Sequence, residues 1–162
     1  MSIKEFKILL ADDDTDDCIF FKKALEGFLL STQLTAVHDG EQLMQLLTNE
    51  PIELPHVLFL DLNMPRKNGF ECLSEIKLSE KLKQLPVVIF STSFEQEVVN
   101  LLYKNGAQYF IRKPSKFSQF KNIIQHTITL IEKDLPTRLL DDKAGNISQP
   151  AIEDFVLTVQ NS

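Results

Sequence analysis

The chain has 162 residues, enough for one domain and too few for two of ordinary size. Hydrophobic residues make up 43% and charged residues 25%, which fits a globular protein and excludes a disordered or collagen-like one. Seventeen Lys and Arg against 23 Asp and Glu leave a net charge of −6, which excludes a general nucleic-acid binder with a basic surface. Two cysteines, Cys18 and Cys72, cannot build a disulfide framework or a Cys-rich zinc site. The first apolar run, Ile8-Leu9-Leu10-Ala11, is short and ends in acids, so no signal peptide is expected. No later run reaches membrane-spanning length, and a reducing cytoplasm is the expected compartment.

Along the chain, two kinds of segment alternate. The first kind is short and apolar: residues 8–11, 34–37, 57–60, 87–90 and 110–111. Most are continuous and rich in branched or aromatic residues, as strands buried on both faces of a parallel sheet are. The second kind has helical spacing. Cys18, Phe21, Leu25 and Phe28 step by three and four. Leu43, Leu46 and Leu47 follow, then Phe70, Leu73 and Ile76, then Val98, Leu101 and Leu102. The last stripe is Phe117, Phe120, Ile124, Ile128 and Ile131. Asp14 or Thr15 is the expected cap of the first helix. Asn68 before Glu71 and Ser93 before Gln96 have capping-box spacing, while Gly27 and Gly106 sit where helices should stop. Five strand–helix units predict an α/β three-layer sandwich with right-handed crossovers. Residues 134–162 are punctuated by Pro136, Gly145 and Pro150 and carry no long stripe. They read as a C-terminal extension with a short helix over 152–159, too short for a DNA-binding output domain, leaving 1–133 as the main domain.

Ligands of an open α/β sheet bind outside the carboxyl ends of its strands. The first strand ends in Asp12-Asp13-Asp14, the second in His38-Asp39-Gly40 and the third in Asp61. The fourth ends in Ser91-Thr92-Ser93 and the fifth in Arg112-Lys113-Pro114. Acids, a hydroxyl and a lysine thus converge on one edge. Close carboxylates repel one another unless a cation neutralises them, and a hard ion such as Mg²⁺ suits oxygen donors. A lysine and a hydroxyl beside them can hold a phosphoryl group, with Asp61 as nucleophile and an aspartyl phosphate as product.

Other chemistry is less compatible with the residues. An EF-hand loop from Asp12 would need Gly where Asp17 stands and Glu where Lys23 stands. The five glycines are too far apart for a phosphate-cradling loop or a nucleophile elbow. A haloacid-dehalogenase-type phosphatase would accept Asp12 and Asp14 but would want Thr or Val where Asp16 stands. Taken alone, Asp12 to Asp14 could simply cap a helix, Asp61 could be a turn acid and Lys113 a surface lysine. Asp39 reads as a turn acid, His38, His56 and His126 as structural or surface residues, and both cysteines as buried packing residues.

The ordered set Leu10-Ala11-Asp12-Asp13-Asp14, Leu60-Asp61-Leu62-Asn63-Met64-Pro65, Gly69, Ser91 and Lys113-Pro114 resembles the CheY-like receiver domain of two-component response regulators. The resemblance covers about residues 5–133. It implies a five-stranded parallel sheet in the flavodoxin-like order 2-1-3-4-5 with five helices. It implies Asp61 as the phosphoacceptor, with Asp12, Asp13, Asp61 and the Asn63 backbone carbonyl around Mg²⁺, for which Mn²⁺ can substitute. Ser91 and Lys113 match the phosphoryl-binding pair, and Phe110 matches the switch aromatic. Ser91 is often Thr in relatives, and Phe110 is often Tyr, whose hydroxyl this chain lacks. Asn63 and Ser93 would flank the attacking water in phosphoryl loss. The implied partners are a sensor histidine kinase or phosphotransfer protein, a downstream protein target and a second copy as homodimer, through a face over residues 95–125. Neither DNA, a membrane nor an enzymatic role is implied. The run from Leu62 to Glu71 also resembles the small phytochrome-associated response regulators.

Overall fold

The computed structural model describes residues 5–49, 53–92 and 95–144, with side chains to residue 134. Five strands and five helices alternate: β1 (Phe6–Ala11), α1 (Thr15–Ala24), β2 (Thr32–Val37), α2 (Gly40–Thr48), β3 (Val57–Leu60), α3 (Gly69–Leu78), β4 (Val87–Ser91), α4 (Gln96–Lys104), β5 (Tyr109–Arg112) and α5 (Phe117–Ala144). All pairings are parallel, and the sheet order is β2-β1-β3-β4-β5. The flavodoxin-like α/β sandwich expected from the sequence is the fold observed.

The continuous apolar runs divide their residues between two cores. Ile8, Leu10, Phe59 and Phe90 point to one face, where Phe21 of α1 and Phe120, Ile124 and Ile128 of α5 cover them. Leu9, Leu58, Leu60, Ile89 and Phe110 point to the other, under α2, α3 and α4. A strand between two helical layers needs both parities apolar, which is why no polar alternation shows in the sequence. The first core is a cluster of edge-on rings: Phe21 lies 4.9 Å from Phe59, and Phe90 lies 5.4 Å from Phe120.

Several local expectations change. β2, one of the two edge strands, is at least partly exposed along its whole length, whereas most residues of the other four strands are buried. α1 stops at Ala24, so Leu25 is its C-cap, and Phe28 joins the core from the following loop. Gly27 takes φ 75 and Gly106 φ 104, the left-handed conformation glycine adopts without a Cβ clash at helix ends. On α4, Leu102 is buried and Val98 packs against the core as expected, but Leu101 is exposed and Val99 and Tyr103 face inward in its place. Asn68 and Glu71 do form a capping box. α4 begins directly after Glu95, whose side chain makes no cap bond, so Gln96 is not the third residue of a box. Ser93 lies outside the described residues. Cys72 is buried, but Cys18 is only partly so. α5 runs past residue 133, through Pro136, to Ala144. Beyond the packed stripe the chain keeps strong helix formers, among them Leu135, Arg138, Leu139, Leu140 and Ala144. The helix expected over 152–159 lies outside the described residues.

One histidine is structural in a way that titrates. The His56 ring stacks on Phe6 at 5.0 Å, and its Nδ1 accepts a hydrogen bond from the Lys7 backbone N–H at 2.8 Å. Burial holds its pKa below the ordinary value, helped by the Lys7 ammonium and opposed by Glu53. Protonation would set N–H against N–H. A depressed histidine pKa gives stability that is present above the unfolded value and lost as pH falls through the folded one. The urea midpoint should therefore drop between about pH 7.5 and about pH 5.5, across the unperturbed histidine value of about 6.5. In His56→Asn, which keeps an acceptor but does not titrate, that pH dependence should flatten.

Candidate functional site

The ladder hydrogen bonds continue one residue beyond the strands and place the polar residues. The Asp12 N–H donates to the Val37 carbonyl at 3.0 Å, and Asp61 N–H to the Ala11 carbonyl at 3.0 Å. Lys113 N–H donates to the Ser91 carbonyl at 2.8 Å. Because β1 lies beside β3, Asp12 and Asp61 become neighbours although 49 positions separate them. Ser91 is the last residue of β4, and Phe110 is the second of β5.

The acids are packed closely. Asp12 is fully buried and Asp61 is 6% exposed, while Asp13 is exposed. One carboxylate oxygen from each lies within 4.8 Å of the others. Asp12 Oδ1 accepts from the Asp14 N–H at 2.9 Å, and its Oδ2 accepts from Lys113 Nζ at 2.9 Å. Asp61 accepts from the Asn63 N–H at 3.4 Å and lies 3.5 Å from Lys113 Nζ. The Lys113 ammonium lies over the Phe90 ring, with Nζ 5.2 Å from its centroid.

Burial pushes Asp12 up to about 7, against the hydrogen bonds from Lys113 and the Asp14 N–H. Burial also raises Asp61, against the Lys113 charge. For Lys113, burial alone would lower the pKa, but hydrogen bonds to Asp17 and Asp12 outweigh it and the net shift is upward. The acids thus outnumber the single ammonium in a water-poor site, which is the condition that hard divalent cations relieve.

Every expected site residue among Asp12, Asp13, Asp61, Asn63, Ser91 and Lys113 lies on this edge. Ser91 is fully buried. Phe110 is 1% exposed and turned into the core beneath α4. Its N–H donates to the Tyr103 hydroxyl at 3.1 Å, a bond the sequence did not suggest. Asp14 is the cap of α1, accepting from the N–H groups of Asp16 and Asp17. Asp17, weighed in the sequence only as a mismatch to an EF-hand loop, accepts from Lys113 Nζ at 2.7 Å. No local signal in the sequence could have found this contact, because its partner lies 96 residues away. Asp39 caps α2, accepting from the Gln42 N–H, and pairs with Arg66 at 3.4 Å.

A family model for the response regulator receiver domain matches residues 8–125. The chain belongs to the receiver-domain family. It is 30% identical to the response regulator Rcp1 of Synechocystis sp., over 73% of this chain and 83% of that protein. It is 31% identical to the two-component response regulator ORR5 of Oryza sativa, over 75% of this chain and 87% of that protein. Among solved structures, the phosphorylated cyanobacterial phytochrome response regulator RcpA superposes with a TM-score of 0.71 at 31% identity, covering 76% of this chain and 91% of that one. The Mn²⁺-bound form of Rcp1 superposes with a TM-score of 0.70 at 25% identity, covering 90% and 99%. Receiver domains act in two-component signalling, where phosphorylation of an aspartate is the standard event, and they pair with histidine kinases. They are in general signalling proteins rather than enzymes. Among the described residues no helix is long and apolar enough to cross a membrane.

Gly69 shapes the loop that follows Asp61. A Cβ there would strike the Asp61 carbonyl oxygen and approach the Leu62 Cα to 2.8 Å, both backbone atoms that cannot turn aside. Gly69→Ala should cost about 1–3 kcal/mol through overpacking. It should lower the urea midpoint and also weaken the rise in melting temperature produced by Mn²⁺, because the displaced backbone carries Asp61.

Proposed function

We propose that residues 1–133 form a receiver that takes a phosphoryl group onto Asp61 in a Mg²⁺-dependent reaction, from a phosphohistidine of a sensor histidine kinase or phosphotransfer protein. The observation that carries this reading is the position of Asp61. It is buried beside Asp12 and within reach of Lys113, on the edge of the sheet where all the candidate residues converge.

An Asp61 carboxylate oxygen forms the new O–P bond as the P–N bond to the donor imidazole breaks. The departing ring keeps the bonding electron pair and takes up a proton. Asp12, Asp13, Asp61 and the Asn63 carbonyl are the residues to hold the cation. They fit on the chemistry of the donor set: oxygen donors, closely spaced, with more negative charge than Lys113 can balance. When bound, Mg²⁺ neutralises carboxylate charge and stabilises the charge of the transferring group; Mn²⁺ can substitute. Lys113 donates to a phosphoryl oxygen, and the Ser91 hydroxyl donates to another. The inward shift of Ser91 draws Phe110 after it, which biases α4, β5 and α5 between two arrangements. The face over residues 95–125 then binds a downstream protein or a second copy. Residues 134–162 act as an extension and not as an output domain. The protein works in the cytoplasm and signals by contact, without acting as an enzyme or binding DNA or a membrane.

Intact mass after incubation with acetyl phosphate tests the acceptor. Wild type should gain one phosphoryl group only when Mg²⁺ is present, and Asp61→Asn should gain none. Equal labelling of the two proteins would overturn the assignment.

Cation binding has a pH signature. The raised Asp12 pKa means the folded protein keeps a proton that the unfolded chain releases at about 3.9. That stability is fully present below the unfolded value and is lost as pH rises through about 7. A cation that binds the deprotonated carboxylates offsets the loss. Mg²⁺ or Mn²⁺ should therefore raise the melting temperature more at about pH 8 than at about pH 5.5, where protons compete for the carboxylates. An equal rise at both values would count against this site.

A further inference from the structure

Lys113 is held by a residue outside the expected set. Its side chain is 7% exposed and its ammonium has three N–H donors. Three carboxylates surround it: Asp17 at 2.7 Å, Asp12 at 2.9 Å and Asp61 at 3.5 Å. Charge-assisted bonds between ammonium and carboxylate are best at about 2.7–2.9 Å. The two best bonds therefore go to Asp17 and Asp12, and the loosest contact is the one to Asp61.

The two tight partners are not equivalent. Asp12 is fully buried, and its other oxygen is fixed by the Asp14 N–H. Asp17 sits in the first turn of α1, where the helix N-terminus favours an anion. Its side chain is 17% exposed, and Lys113 is its only side-chain partner among the described residues. For the ammonium to close on an oxygen attached to Asp61, the bond to Asp17 is the one able to lengthen.

We propose that Asp17 is a positioning residue that holds the Lys113 ammonium back from Asp61 before phosphoryl transfer. Uptake then includes a shift of Lys113 from Asp17 toward the phosphoryl group. Asp17 touches neither the phosphoryl group nor the cation; it acts through Lys113. This inference rests on the proposed role of Asp61.

The test follows labelling of the full-length protein by acetyl phosphate at saturating Mg²⁺, read by intact mass. Asp17→Asn keeps the shape and removes the charge that competes for Lys113. It should label about three- to tenfold faster than wild type, the range expected for loss of one partly screened ion pair. Asp17→Glu, which restores the charge, should return the rate toward the wild-type value. In a Lys113→Ala background, Asp17→Asn should change nothing. A rate for Asp17→Asn equal to or below wild type would overturn the proposal. So would the same acceleration with and without Lys113, which would make Asp17 merely a like charge repelling the donor.

A second measurement does not depend on labelling. Urea midpoints of wild type, the two single variants Asp17→Asn and Lys113→Ala, and the double variant form a cycle. Non-additive midpoints support the pair, and additive ones overturn it. If wild type takes up no phosphoryl group, the reading of Asp61 falls, and with it the part of the inference that concerns uptake. The cycle still decides whether Asp17 holds Lys113.

Discussion

The ammonium of Lys113 is the point on which the carboxyl edge of the sheet depends. It joins the end of β5 to the end of β1, to the end of β3 and to the first turn of α1. Its partners Asp12 and Asp17 are 101 and 96 residues away in the chain. Burying a charge is costly unless it is paired, and removing one member of a buried pair leaves the other uncompensated. The carboxylates cannot all be balanced by one lysine, and burial raises the pKa of Asp12 even with Lys113 and the Asp14 N–H bonded to it. The same imbalance that strains the protein alone makes the site suited to a divalent cation and to a phosphoryl group bound with it.

That cluster exists because the sheet puts β1 next to β3 and lets the ladder run one residue past the strands. The apolar runs supply the rigidity. Each central strand is locked between two cores, so the backbone atoms of Asp12 and Asp61 have little freedom. The loop after Asp61 is tied down separately. Gly69 allows that loop to fold back against the Asp61 carbonyl, and Gly40 presses against Lys67 in the same way. Arg66, between them, holds φ 69 and reaches the almost buried Asp39 at the head of α2. A non-glycine residue in that region is strained, and the ion pair is a compensating contact. The loop after Asp61 is thus clamped to the β2–α2 junction as well as to the sheet.

Most of this architecture was legible in the sequence, for a reason that can be stated. A doubly covered strand writes itself as an unbroken apolar run, and β1, β3 and β4 do so. Chemistry at strand ends then follows from where the runs stop, which is how Asp12, Asp61, Ser91 and Lys113 could be placed together. The failures occurred where burial depends on a neighbour rather than on periodicity. β2 has apolar residues, yet none of its six positions is buried. Leu101 fits a stripe, yet α4 turns Val99 and Tyr103 inward instead. Asp17 was not placed with the site, because nothing local shows that a lysine 96 residues later will reach it. Asp39 looked like a turn residue, because its value comes from Arg66 and from the N-terminus of α2 together.

The absence of a hydroxyl at Phe110 has a counterpart on the neighbouring helix. Phe110 lies in the core shared with α4, and its N–H is held by the Tyr103 hydroxyl from the last turn of that helix. Burial pushes the Tyr103 pKa up to about 12, so the hydroxyl stays neutral and keeps its lone pairs available as acceptors at ordinary pH. Backbone and ring of the same residue therefore face the same helix. In the proposed cycle, any displacement of Phe110 that follows Ser91 must either carry Tyr103 with it or break a nearly buried hydrogen bond. Leaving that N–H unpaired costs about 1–3 kcal/mol. A packed core and a single directional bond thus oblige α4 to register what happens at the end of β4.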